Sequence, residues 1–208
     1  MEAKLLLIPW MVSVLYSSIP LFWFAIHPFA HSWRRMNRSP YLYLLPLWLV
    51  VISALAAITW PFHELQLYYP PHHWWTVVAG FAGVLAGLSL TTYWRIRSSF
   101  GIQNFIGASE LHSQDETANL VTTGIHARMR HPIYVAHLLM LSAWSFASGL
   151  LVPCFLLALS AFITFPLMIW AEERELEQRF GVSYRDYKKK VPAFAMPLFH
   201  PSQRKKPA

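Results

Sequence analysis

Apolar residues fill five long stretches of this chain, and the connections between them and the tail after them carry nearly all of its charge. The stretches run from Leu5 to about Ile26, Tyr41 to Trp60, Trp74 to Trp94, Pro132 to about Ser148, and about Leu150 to Ala171. None of them contains Asp, Glu, Lys or Arg. A bilayer core of about 30 Å takes roughly 20 helical residues, so the pattern predicts an all-α, polytopic membrane protein with about five transmembrane helices. The first stretch exceeds the roughly 7–15-residue apolar core of a signal peptide, and only Lys4 supplies basic charge ahead of it. It reads as a retained helix.

The last two stretches are joined only by Ser148, Gly149 and Leu150, with Pro153 just beyond. Gly at a helix end and Pro near a helix start mark a tight antiparallel hairpin. After it, a short amphipathic helix is expected from Glu173 to Phe180. Gly181 should stop it, and a basic, aromatic helix should run from Tyr184 to Lys190, with Pro192 and Pro197 ending regular structure. In the third stretch, Gly83 and Gly87 have the spacing that lets helices approach closely, and they are expected to pack.

Charge placement orients the spans. Arg34, Arg35 and Arg38 fall in the first connection, and Arg95, Arg97, Arg128 and Arg130 in the third. Nine Lys and Arg follow in the tail, while residues 61–73 and the Gly149 turn have none. Basic residues favour the cytoplasmic side, which puts the N-terminus outside and the C-terminus in the cytoplasm. Composition agrees, with 55% hydrophobic and 13% charged residues against about 25% charged in soluble domains. The net charge of +7 then reads as basic loops facing anionic lipid, with no nucleic-acid partner. The lone Cys154 rules out a disulfide framework.

Two ionisable clusters flank the hairpin at its open end: Arg130-His131-Pro132-Ile133-Tyr134, and Glu172-Glu173. Pro132 at a first helical turn places Arg130 and His131 at a helix N-terminus, which favours anions. Two carboxylates closing a helix oppose its dipole, and a cation would offset them. On charge placement alone, the clusters equally fit a membrane boundary in which Arg130 pairs with a Glu.

The segment from Leu120 to Tyr134 resembles the isoprenylcysteine carboxyl methyltransferases and their bacterial relatives. So does Glu172-Glu173 followed by Leu176, Phe180-Gly181, Tyr184, Tyr187 and Val191-Pro192. The resemblance covers residues 118–197 and divides the chain into 1–110, three helices with a connector, and 111–208, the methyltransferase core. It implies an integral-membrane enzyme, placed in a bacterial inner membrane, that moves a methyl group from S-adenosylmethionine to a hydrophobic, lipid-like acceptor at the cytoplasmic face. Carried over residue by residue, the cofactor contacts are Ala118, Asn119, Leu120, Val121, His126, His131, Pro132, Tyr134 and Glu172, with Glu173 beside them. Arg130 is expected to meet the cofactor's carboxylate, and Arg130 and Glu172 form the catalytic pair. Methyl transfer from a sulfonium is an in-line displacement, which needs alignment rather than a nucleophilic side chain or a metal. Three positions depart from the pattern: His126 stands where Tyr is common, Ala136 where Gly is common, and Met168 where the eukaryotic enzymes carry an Arg for the acceptor carboxylate. The last argues against prenylcysteine as acceptor.

Other readings stay open. The membrane sterol reductases, which use NADPH, share the hairpin and tail but have Asn at the Pro132 position. A histidine-box metal site would need His27 and His31 to join His72 and His73, which the topology puts on opposite sides. The third is a membrane component that kept the fold without activity.

Overall fold

The computed structural model describes residues 3–29, 32, 35, 41–68, 74–100 and 120–195. Backbone groups in lipid must satisfy one another, so apolar spans become helices, and that is what these stretches form. α1 covers Ala3–Ile26, α2 Tyr41–Thr59, α3 Trp75–Phe100 and α4 Pro132–Ser148. α5 covers Leu151–Phe180 and α6 Val182–Lys190. The protein is all-α and multi-pass. Among the described residues, four helical stretches are long and apolar enough to cross a membrane: Leu7–Phe29, Leu42–Phe62, Trp75–Ser98 and Leu151–Phe180. α4 is a shorter apolar helix of 17 residues, about 25 Å long at 1.5 Å per residue.

α4 is the centre of the bundle. It packs against α3, α5 and α1, while α2 packs on α1. Between apolar helices in lipid, packing and a few polar contacts replace the hydrophobic drive. Trp10 Nε1 donates to Thr59 Oγ1 at 2.9 Å and Trp48 Nε1 to Ser18 Oγ at 2.9 Å, joining α1 to α2. Ser89 Oγ donates to the Ala136 carbonyl at 2.7 Å, joining α3 to α4. Ser160 Oγ reaches Ser17 Oγ at 3.3 Å, joining α5 to α1.

The hairpin between α4 and α5 is as tight as expected. Gly149 has φ 63° and ends α4, its N–H donating to the Ser145 carbonyl at 3.0 Å. The segment before α3 closes over this turn: Leu67 N–H donates to Gly149 O and Leu151 N–H to Leu65 O, both at 2.8 Å. This end of the bundle also holds Trp10, packed edge-on against Trp60. His27, His126, His131 and Glu172 gather at the other end.

Two expectations are corrected. The fifth span does not stop at Ala171, with a separate helix from Glu173 to Phe180. α5 runs unbroken through both, because nothing between Ala171 and Phe180 breaks a helix and Gly181, at φ 55°, is the first residue that does. The carboxylates therefore lie inside a helix, about two turns before its end. Gly83 and Gly87 do not pack either. A Cβ built on Gly80, Gly83 or Gly87 meets nothing within 4 Å, and the face of α3 turned to the bundle is Ala82, Ser89, Thr92 and Ile96. The small-residue spacing marks the wrong face of the helix.

α5 also contains a wide π turn, Ser160–Thr164, in which the Phe165 N–H reaches back to Ser160 O. Pro166 follows it. A proline removes one helical N–H and crowds the carbonyl four residues earlier, and a π turn is one way a helix accommodates such a defect.

At Gly149, a Cβ would run into the Tyr68 carbonyl, and the backbone is left-handed. Gly149→Ala is expected to cost at least about 1–2 kcal/mol, read as a lower unfolding midpoint in detergent. Gly83→Ala, facing open space, should stay within about 0.5 kcal/mol of the parent. Equal midpoints for the two variants would contradict the turn geometry.

Candidate active site

Pro132 opens α4 as its first residue, with His131 as N-cap. The chain ahead of it makes a short 3₁₀ turn, Gly124–Ala127, that buries Ile125 and His126. The tail after α6 folds back onto this start. Arg130 N–H donates to the Pro192 carbonyl at 3.0 Å and His131 N–H to the Ala193 carbonyl at 3.1 Å. The two clusters singled out in the sequence thus meet, with the tail as a third wall.

Glu173 is the hub. Its Oε1 accepts from Arg130 Nε at 2.9 Å and Nη2 at 2.6 Å, and lies 3.0 Å from His131 Nε2. Its Oε2 lies 2.8 Å from Lys188 Nζ on α6. Glu172 faces a neighbouring direction, as adjacent helical residues do. Its Oε2 accepts from the Tyr134 hydroxyl at 2.5 Å and lies 3.2 Å from His131 Nδ1. The His131 ring is therefore held between two carboxylates, and it stacks on Tyr134 at 5.3 Å between centroids.

This setting decides protonation. Burial disfavours the charged imidazole of His131, but Glu172 and then Glu173 outweigh it and raise its pKa to about 9. His126 goes the other way. Burial dominates, Glu172 offsets only part, and its pKa falls to about 4. The phenols of Tyr184 and Tyr187 are pushed up, first by burial, and Tyr184 also by both carboxylates.

The expected site residues fall into place unevenly. His126, His131, Pro132, Tyr134, Glu172 and Glu173 line or approach one locus. Leu120 packs on Tyr184, Tyr187 and Val191, and Val121 follows it, half-buried. Ala118 and Asn119 lie outside the described residues, as do His31, His72 and His73. Arg130, expected to meet a cofactor carboxylate, is bound to Glu173, and its Nη1 donates to the carbonyls of Val191 at 2.5 Å and Lys188 at 3.2 Å. Met168, one turn before Glu172, is fully buried with Tyr134 and Phe165. Sequence reasoning missed Lys188, the Tyr184 hydroxyl and His27. Tyr184 is 1% exposed and its hydroxyl has no hydrogen-bond partner among the described residues. Its place in the tail motif was a signal, but nothing in the sequence aimed it at the carboxylates.

Residues 75–183, more than half of the chain, match the phospholipid methyltransferase family. The chain belongs to that family. The family match takes in α3, α4 and α5. A 74-residue stretch is 39% identical to the protein-S-isoprenylcysteine O-methyltransferase of Schizosaccharomyces pombe. It amounts to 36% of this chain and 31% of that protein, so the chain spans about a third of this relative. No solved structure matches. Lys188 and the tail lie beyond the family match, and His27 lies before it.

Two outcomes follow from the geometry. Glu173→Ala leaves Arg130 and His131 buried without their anion, and losing one partner of a buried pair costs about 3–5 kcal/mol; unfolding in detergent measures it. His131 adds a pH dependence. Its folded pKa of about 9 exceeds the ordinary 6.5. Its stabilisation is thus complete below about pH 6.5 and lost as pH rises through about 9. The unfolding midpoint should fall across that window, and His131→Gln should flatten the fall.

Proposed function

We propose that this protein transfers a methyl group from S-adenosylmethionine to a hydrophobic, lipid-like acceptor, at the membrane face where α4, α5 and the tail meet. Family membership supports the reaction class. The observation that carries the cofactor is the Glu172 carboxylate, held by Tyr134 and His131, with the buried Tyr184 hydroxyl left unpartnered nearby. S-adenosylmethionine offers cationic groups and ribose hydroxyls for the carboxylate and acceptor oxygens for the phenol, so the donor set fits it.

When bound, the cofactor supplies an already activated methyl group, and the chain's own residues align and enclose. Glu172 orients a hydroxyl-rich or cationic part. Arg130 acts by position: its bonds to Glu173, Lys188 and Val191 hold the tail over the α4 N-terminus and exclude water. The basic connections put this face in the cytoplasm. Met168 offers no cation and is packed among Tyr134, Phe165, Trp23, Ile133, Leu138 and Ile169. A carboxylate acceptor such as prenylcysteine finds no partner there, and a lipid amine, phenol or hydroxyl suits the site better.

Titration with S-adenosylhomocysteine tests this reading. The protein in nanodiscs should bind it and unfold at a higher temperature, while NADPH should do neither. A hydrogen bond to a charged group is worth about 1.5–3 kcal/mol, so Glu172→Gln should weaken binding roughly 10–100-fold. Stabilisation by NADPH instead would sink the proposal.

A further inference from the structure

His27 is the strongest unexplained group in the molecule. It follows α1 and opens the 3₁₀ turn His27–Phe29. It is 4% exposed, and its buried Nδ1 has no hydrogen-bond partner among the described residues. A buried polar atom left unpaired is costly and calls for a function or a missing partner.

Its surroundings supply the function. The turn packs against the Glu172 end of α5, and His27 lies within electrostatic reach of Glu172. One helical turn earlier, Trp23 packs on the cluster of Tyr134, Phe165 and Met168, and the Trp23 and His27 rings lie 5.7 Å apart. Trp23 on α1 and His27 just after it therefore run alongside Met168 and Glu172 on α5, in the same four-residue step. His27 stands at the level of Glu172, one helical turn beyond the Met168 that replaces the arginine expected for an acceptor carboxylate. Both His131 nitrogens lie on carboxylates. Tyr184 is a phenol with a raised pKa, which makes it a donor.

We propose that His27 is a residue of the acceptor site, binding the protic head group of the acceptor through Nδ1 and taking its proton during methyl transfer. This rests on the methyltransferase reading above. A lone pair of the acceptor N or O forms the new bond to the methyl carbon. The carbon–sulfur bond of the sulfonium donor breaks, its electron pair stays on sulfur as the neutral thioether, and the proton of the acceptor N–H or O–H moves to His27. The acceptor class is an amine, a phenol or a hydroxyl. A carboxylate has no proton to give and would make no use of His27.

The test uses the full chain in nanodiscs, with His27→Gln and His27→Ala. Binding of S-adenosylhomocysteine comes first. Wild type should bind, and both variants should bind within about two-fold of it. If wild type does not bind, the methyltransferase reading fails and this inference with it. Labelled S-adenosylmethionine is then offered with vesicles carrying a primary-amine lipid, a phenolic lipid or a long-chain fatty acid. Wild type should label the amine or the phenol, and His27→Gln should lower that rate by at least about 100-fold with kcat, not cofactor affinity, carrying the loss. A second readout is independent of turnover. With S-adenosylhomocysteine bound, a short-chain form of the labelled class should shift the wild-type ring NMR signal that His27→Gln removes. Labelling of the fatty acid at a rate indifferent to His27→Gln overturns the proposal. So does an equal loss of cofactor binding and turnover in the variants, or an unmoved His27 signal.

Discussion

Glu173 meets a guanidinium, an imidazole and an ammonium from two separate parts of the chain, and the architecture of this end of the protein follows from that meeting. Arg130 and His131 precede α4, Glu173 sits within α5 and Lys188 within α6. Arg130 and Glu173 are both largely shielded from water, so the attraction between them is screened far less than a surface pair would be. The half-exposed Lys188 adds less. A buried charge needs its partners, and here that need fixes the separation of α4 from α5 and draws the tail across both. The carbonyls of Val191, Pro192 and Ala193 then become ligands for Arg130 and His131 rather than the start of a loose terminus.

Glu172 borrows its orientation from that framework. Its neighbour in sequence is committed to structure, and the step of about 100° between them turns Glu172 toward Tyr134 and the locus near His27. One helix turn thus carries two carboxylates with different partners, Glu173 on Arg130 and Lys188 and Glu172 on Tyr134, with His131 between them. The doublet would be redundant if both pointed the same way.

Much of this was legible in the sequence. Uncharged stretches revealed the spans because charge in lipid is costly, and Gly149 with Pro153 revealed the hairpin through backbone geometry alone. The two clusters were visible as the only ionisable groups at the open end of that hairpin. Three features were hidden. The first charges after the fifth stretch mark where lipid ends, and were taken for the end of a helix that continues to Phe180. Gly83 and Gly87 have the right spacing on α3, but spacing does not say which face a helix turns inward, and Ser89 with its bond to Ala136 decides that. In the sequence His27 stood out only as a candidate for a histidine-box site. Only the packing of α1 beside α5 brings it near Glu172, and such a contact across nearly 150 residues leaves no local trace.

The wide turn at Ser160–Thr164 has a consequence for the whole of α5. A π turn inserts one residue without ending the helix, which advances the azimuth of everything after it by about 100°. The half that packs under the hairpin, Val152 and Leu156 among it, and the half that carries Met168 and Glu172 are therefore out of phase with one another. A single rod is divided into two independently aimed sectors. The first sector meets α1 through Trp10 and Val14, and the second meets Trp23 of α1, the His27 turn, Tyr134 of α4 and the tail. The dial between them is set by one surplus residue next to a proline.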